Sequence, residues 1–216
     1  SLLKNNSEYQ SIEYNVKSGR LPMGVLGLPL TPKAHLIHTL CAETGRKAIV
    51  ITNDEATATK ITADLRTMGT DAHLYPATDR NFRSEQNQSR EYESRRLGVL
   101  GLVSENALDA VVCSIEAAMQ LTIPKKTLTE RTVVLENGKD AELDKVLNAL
   151  VSAGYVRADM VEGAGQFAVR GGIADFFPPD SAQPVRIELW GDEIDTISYF
   201  ELESQRRTKN IDKVEI

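Results

Sequence analysis

The sequence predicts an α/β chain in two parts: a parallel sheet covered by helices over residues 1–122, then a smaller α+β domain with antiparallel strands over 123–204. Three observations carry this reading. Short apolar runs alternate with helical stretches as far as Gln120, the order that a parallel sheet requires. That order breaks at Thr122-Ile-Pro124-Lys-Lys126. From Tyr155 to Leu202 short strands then follow one another with tight turns between them.

The elements justify themselves in turn. Ser7 to Ser18 reads as a polar helix stopped by Gly19 and Pro22, and Met23 to Leu28 as a buried strand between breakers. Thr31-Pro32 is a helix start, a hydroxyl at the cap and proline in first position, and that helix ends at Gly45. Ala48 to Ile51 is a strand. Asn53 or Asp54 caps the next helix, with Ile61, Leu65 and Met68 on one side and Gly69 as its stop. His73 to Tyr75 is a strand closed by Pro76, and Arg80 to Ser89 is polar and turn-like. A helix from Gln88 to Ser104 points Tyr92, Leu97, Leu100 and Val103 inward; the strand Val111 to Cys113 and a short helix at Ile115 to Gln120 follow. In the second part, Thr132 to Leu135 is a strand, and Asp140 to Ala153 is a helix with Leu143, Val146, Leu147 and Leu150 on one face. Gly191-Asp192 suits a two-residue hairpin with positive φ at the glycine.

Composition bounds the chemistry. With 25 basic and 31 acidic residues, the net charge of −6 argues against gripping a nucleic-acid backbone unaided. No apolar run approaches the roughly 18 residues of a membrane span, and no signal-peptide layout opens the chain, so the cytoplasm is the expected setting. Cys41 and Cys113 are too few for a disulfide framework or a zinc site. His35 and His38 share a helix face without a third ligand, so no metal is expected. Asp175, Asp192, Glu193 and Asp195 read as turn and edge-strand charge, and no catalytic residue is assigned.

Gly27-Leu-Pro-Leu-Thr-Pro32-Lys33-Ala34 stands where a phosphate loop, G-x-x-x-x-G-K-[ST], would stand. Gly27 and Lys33 fit. Pro32 replaces the second glycine and removes an amide donor, while Ala34 lacks the oxygen that would bind magnesium. The segment is either a loop that has lost its nucleotide or one that never held it.

The most informative stretch is Gly165-Gln-Phe-Ala-Val-Arg170-Gly-Gly-Ile-Ala-Asp175-Phe-Phe-Pro178 and the later Pro184-Val-Arg186-Ile-Glu-Leu-Trp190-Gly-Asp-Glu-Ile. Side chains alternate between faces of a strand, so Val185, Ile187 and Leu189 take one face and Arg186, Glu188 and Trp190 the other. The same parity sets Phe167 and Val169 against Gln166, Ala168 and Arg170. Gly171-Gly172 marks a bend where side chains do not fit. One face is a core; the other offers two arginines and the chain's only tryptophan, the residue types enriched at protein–protein hot spots. Two readings stand: an interaction surface, or an internal arrangement in which Trp190 folds back and Arg186 pairs with Glu188 or Asp192.

This run, with Ser204-Gln-Arg206 after it, resembles the signature shared by the bacterial transcription-repair coupling factor (Mfd) family and the excinuclease component UvrB. Pro32 and Ala34 place the chain beside the former, whose equivalent loop is degenerate. The resemblance implies a non-catalytic module with an incomplete nucleotide-binding-like first domain, residues 205–216 starting a return to that domain. It implies docking of the repair protein UvrA through Arg170, Arg186 and Trp190, with phenylalanine more usual at the last position. RNA polymerase and DNA would be bound by regions outside this chain, where ATP and magnesium would serve the motor; an intramolecular contact would mask the docking face. The alternative is an ATP-binding, helicase-like domain related to UvrB.

Overall fold

The structure, a computed structural model, describes residues 5–78, 86–179 and 181–216, with residues 86–91 as backbone alone. The chain divides into two compact units, Ser1–Thr122 and Ile123–Ile216.

In the first unit, α1 (Ser7–Ser18) is capped by Asn6, whose side chain accepts from the Glu8 and Tyr9 amides at 2.8 and 3.0 Å, and it ends on left-handed Gly19. The strand expected over Met23–Leu28 does not form. Gly27 takes φ of +80°, which breaks an extended run, no neighbouring strand among the described residues pairs with the segment, and Leu26 is 95% exposed. Helix α2 (Leu30–Thr44) starts after Pro29, ahead of the expected cap, because the Thr31 hydroxyl is committed elsewhere: it donates to the Asp64 carboxylate at 3.1 Å. Gly45 ends it as expected.

Strands β1 (Ala48–Thr52), β2 (Ala72–Tyr75) and β3 (Ala110–Ser114) form a parallel sheet in the order β1-β3-β2. Central β3 is buried throughout, as a doubly covered parallel strand should be. Helix α3 (Glu55–Thr67) is capped by Asp54, which accepts from the Thr57 amide at 2.6 Å; that hydrogen bond holds the Asp54 carboxyl below its usual range. Ala34, Ala58, Ile61, Leu65, Ala72, Ala110 and Val112 make the core here, and its small residues let α2 and α3 approach the sheet.

Helix α4 (Gln86–Ser104) starts two residues earlier than predicted, so the polar stretch expected as a turn is helical from Gln86 onward; residues 80–85 lie outside the described set. Its inward face also differs. Tyr92, Leu97 and Val103 are exposed, whereas Val99 and Arg96 are buried and Leu100 is partly so. Arg96 wins an inward place because its guanidinium satisfies backbone carbonyls, donating to Pro76 O at 2.8 Å and Ala117 O at 3.4 Å while stacking 4.1 Å over the Tyr75 ring. The unit closes with α5 (Ile115–Met119), capped by Ser114.

The second unit opens with α6 (Lys125–Arg131), a short helix that the sequence pattern does not suggest, then β4 (Val134–Glu136) and α7 (Leu143–Ser152). A six-stranded sheet follows: β5 (Val156–Arg157), β6 (Gln166–Arg170), β7 (Ile173–Phe176), β8 (Val185–Trp190), β9 (Glu193–Phe200) and β10 (Arg207–Asn210). The strands lie in chain order and are antiparallel except β5 against β6. Residues 205–216 pair inside this unit: β10 with β9, and β11 (Lys213–Glu215) with β4.

Val146 and Leu150 of α7 pack on Phe167, Phe176, Val185, Ile187, Ile194 and Ile197, with the Tyr155 ring edge-on to Phe176 at 6.0 Å. Each such fully buried side chain is worth roughly 1.5–3 kcal/mol. Positive φ at Gly191 alone makes the β8–β9 turn of the kind expected. At the β6–β7 turn, a Cβ on Gly172 would stand 2.8 Å from Leu189 O, while Gly172 O accepts from the Leu189 amide at 2.8 Å. Gly172→Ala must therefore push two backbones apart, and we expect a loss of about 1–3 kcal/mol in urea unfolding, with the far-UV spectrum unchanged.

Candidate docking face

Cross-strand register defines the second face of the large sheet. Ala168, Asp175, Arg186 and Ser198 form one row across β6, β7, β8 and β9. Arg170, Ile173, Glu188 and Thr196 form the next. Trp190 lies beyond, opposite Glu193 at the mouth of the hairpin. A register shift after Glu188 puts the irregularity on β9, so the parity of β8 survives intact. The three predicted residues do share a face.

They do not share an environment. The first row is sealed. Asp175 is 1% exposed and grips Arg186 as a fork: Nε donates to Oδ1 at 2.6 Å and Nη2 to Oδ2 at 2.8 Å. Arg186 Nη1 donates to Gln205 O at 3.0 Å, and the guanidinium carbon lies 4.7 Å over the Phe200 ring. Its side chain is only 11% exposed. The hydrogen bonds that Arg186 donates to Asp175 raise its pKa above the usual value, against the opposing effect of burial. Val161, Ala168 and Phe200 form a small core beside this pair, with Phe177 and Leu202 packed on it.

In the second row Arg170 is open and its neighbours are half-buried; Trp190 is open. Arg170 donates Nη2 to Asp175 Oδ2 at 2.9 Å, yet half of its side chain faces solvent. Trp190 is 85% exposed. Glu188 is paired with Arg207 of β10. The expectation of two solvated guanidiniums with an indole is therefore corrected at Arg186, an internal residue. Its partner is neither Glu188 nor Asp192 but Asp175, a residue whose sequence context suggests turn charge like that of Asp192, Glu193 and Asp195; those three are exposed. The signal that identifies Asp175 is parity: it lies between Ala174 and Phe176 of the core side, on the same face as Arg186.

The other predicted residues are elsewhere in the chain. Gly27 and Lys33 are exposed, and Pro32 sits in the first turn of α2. Ala34 is buried against α3 in the core of the first unit, so that position faces the interior. His38 Nδ1 lies 2.8 Å from the Thr70 hydroxyl. Among the described residues no three His, Cys, Asp or Glu side chains group as metal ligands, and no helix is long and apolar enough to cross a membrane.

The sheet leaves an indole and a half-exposed guanidinium in water, and residues 133–216 match the family described as "UvrB interaction domain". Over its whole length the chain is similar to transcription-repair-coupling factors, 29% identical to that of Bacillus subtilis (strain 168) and 30% identical to that of Staphylococcus aureus (strain Mu50 / ATCC 700699). It is covered completely in both comparisons and spans 18% of each relative's length. The resemblance read from the motifs is thereby borne out.

The geometry separates the two arginines in a stability measurement. Arg186→Glu leaves two carboxylates facing each other in a sealed row, and breaking a buried pair in this way costs about 3–5 kcal/mol. Arg170→Gln, at a half-exposed site, should cost no more than about 1 kcal/mol. Chemical denaturation of both variants checks the contrast.

Proposed function

We propose that this chain is a non-catalytic docking module in transcription-coupled repair, and that the open part of its second sheet face engages UvrA. Trp190 carries the reading. An indole left in water on a regular strand has no packing role of its own, and an exposed aromatic on the same sheet face as an arginine is the composition of an interface hot spot. The likeness to transcription-repair-coupling factors and the UvrB interaction domain match support UvrA as the partner. In this reading the chain works in the cytoplasm and brings excision repair to a stalled RNA polymerase, while contacts to polymerase and DNA belong to other regions of a coupling factor. An intramolecular contact over the Trp190 face would keep it silent until needed.

No nucleotide takes part in this module under the same reading. Ala34 supplies no oxygen for magnesium, Pro32 supplies no amide, and the residues before the helix form no strand to carry a phosphate loop. Titration of the chain with ATP and magnesium should give no binding heat, and Lys33→Ala should change nothing. Binding of ATP that disappears with Lys33→Ala would instead favour the helicase-like alternative.

Two substitutions test the docking surface. Trp190→Ala and Arg170→Glu should each lower the affinity for purified UvrA at least about tenfold, the cost of losing a hot-spot side chain. Melting curves should stay close to that of the parent. The sole tryptophan should also report directly, its emission moving to shorter wavelength as UvrA is added to the parent protein. Undiminished binding by both variants would exclude this face as the contact.

A further inference from the structure

The boundary between the sealed and open parts of the second face is one carboxylate. Asp175 Oδ2 accepts from Arg186 at 2.8 Å and from Arg170 at 2.9 Å, so two guanidiniums meet on a single oxygen. Their remaining hydrogen-bonding capacity differs. Arg186 uses Nε, Nη1 and Nη2 on Asp175 and Gln205, and little of it reaches solvent. Arg170 uses only Nη2; its Nε and Nη1 have no acceptor among the described residues, and half of the side chain is exposed.

Arg186 also ties down the loop between β9 and β10. Gln205, whose carbonyl accepts from Arg186, has φ of +57°, a conformation costly for a residue with a side chain. It is held there by its amide on Glu201 O and its side-chain amide on Leu202 O, both at 2.8 Å. Two residues later comes Arg207, which reaches back across the sheet to Glu188 in the open row. The Asp175–Arg186 pair thus reaches both ends of the open row, touching Arg170 directly and Arg207 through the loop.

We infer that Asp175 and Arg186 are positioning residues of the docking face: they do not touch the partner, but hold the Arg170 guanidinium by Nη2 so that its free N–H groups take a carboxylate of an acidic side chain of the surface that receives Trp190. The inference rests on the docking reading above and removes Arg186 from the contact set. A guanidinium held on one side by a buried carboxylate is already oriented, so its free N–H groups bind a second carboxylate with little further loss of freedom. Released from Asp175, Arg170 would be an ordinary surface arginine, still charged but no longer aimed.

A double-mutant cycle in UvrA binding tests this, using the 216-residue chain at a temperature where circular dichroism shows every variant folded. Asp175→Asn should weaken binding about tenfold in the parent and less than about twofold in an Arg170→Ala background, because its effect passes through Arg170. Equal weakening in both backgrounds, or none in either, overturns the inference. If Asp175→Asn does not fold, Arg186→Lys runs the same cycle, since it keeps the charge against Asp175 and loses the fork. Trp190→Ala is carried alongside: if it and Arg170→Ala both bind UvrA like the parent, the docking surface itself is wrong, an outcome distinct from a failed cycle on a working surface.

Discussion

A carboxylate sealed beneath a β-sheet face is tolerable only if its charge is matched and both oxygens accept hydrogen bonds, and Asp175 meets both conditions with two arginines. Much of the second unit's functional geometry follows from that constraint. Arg186 must lie flat against the sheet to serve both carboxylate oxygens, which puts its third donor group under the Gln205 carbonyl and fixes the loop from Glu201 to Arg206. Gln205 of that loop meets Arg186 in the first row, while Arg170 of the second stays half exposed. A single buried charge thus stands where the interior part of a continuous sheet surface gives way to its more exposed part.

The two units use their sheets differently. In the first, a parallel sheet of three strands is organised around a central strand with no polar side, and its polar business is handled at strand ends by Thr52, Ser114 and the inward-turned Arg96. In the second, one face is a conventional core under α7 and the other carries charge in ordered rows. The Gly27–Ala34 segment in the first unit and the arginine–tryptophan face in the second are thus different in kind. One puts Ala34 into packing; the other is a surface laid over a buried ion pair.

Legibility in the sequence followed the physics of each signal. Period-two alternation placed Arg170, Arg186 and Trp190 on one face correctly, because parity survives even the irregularity in β9. Parity does not report depth. Whether a residue on that face is sealed depends on a loop well separated from it along the chain, and no local pattern encodes that the Gln205 carbonyl will settle over Arg186. The same gap between pattern and packing explains α4, where an arginine took a buried position that hydrophobicity assigned to Leu97. The cap at Asp54 was legible, those at Asn6 and Ser114 went unread, and Thr31 was misread because its hydroxyl had another partner. The missing strand at Met23–Leu28 shows that an apolar run without a neighbour to pair with remains a loop, whatever its composition.

The two-residue turn at Gly191-Asp192 has a mechanical consequence for the indole beside it. Trp190 is the last residue of its strand, paired across the turn with Glu193, so only its own two side-chain torsions separate the ring from a stiff ladder. A ring mounted this way has little room to search. Its shape is presented rather than adapted, and the burden of accommodation falls on whatever surface closes around it.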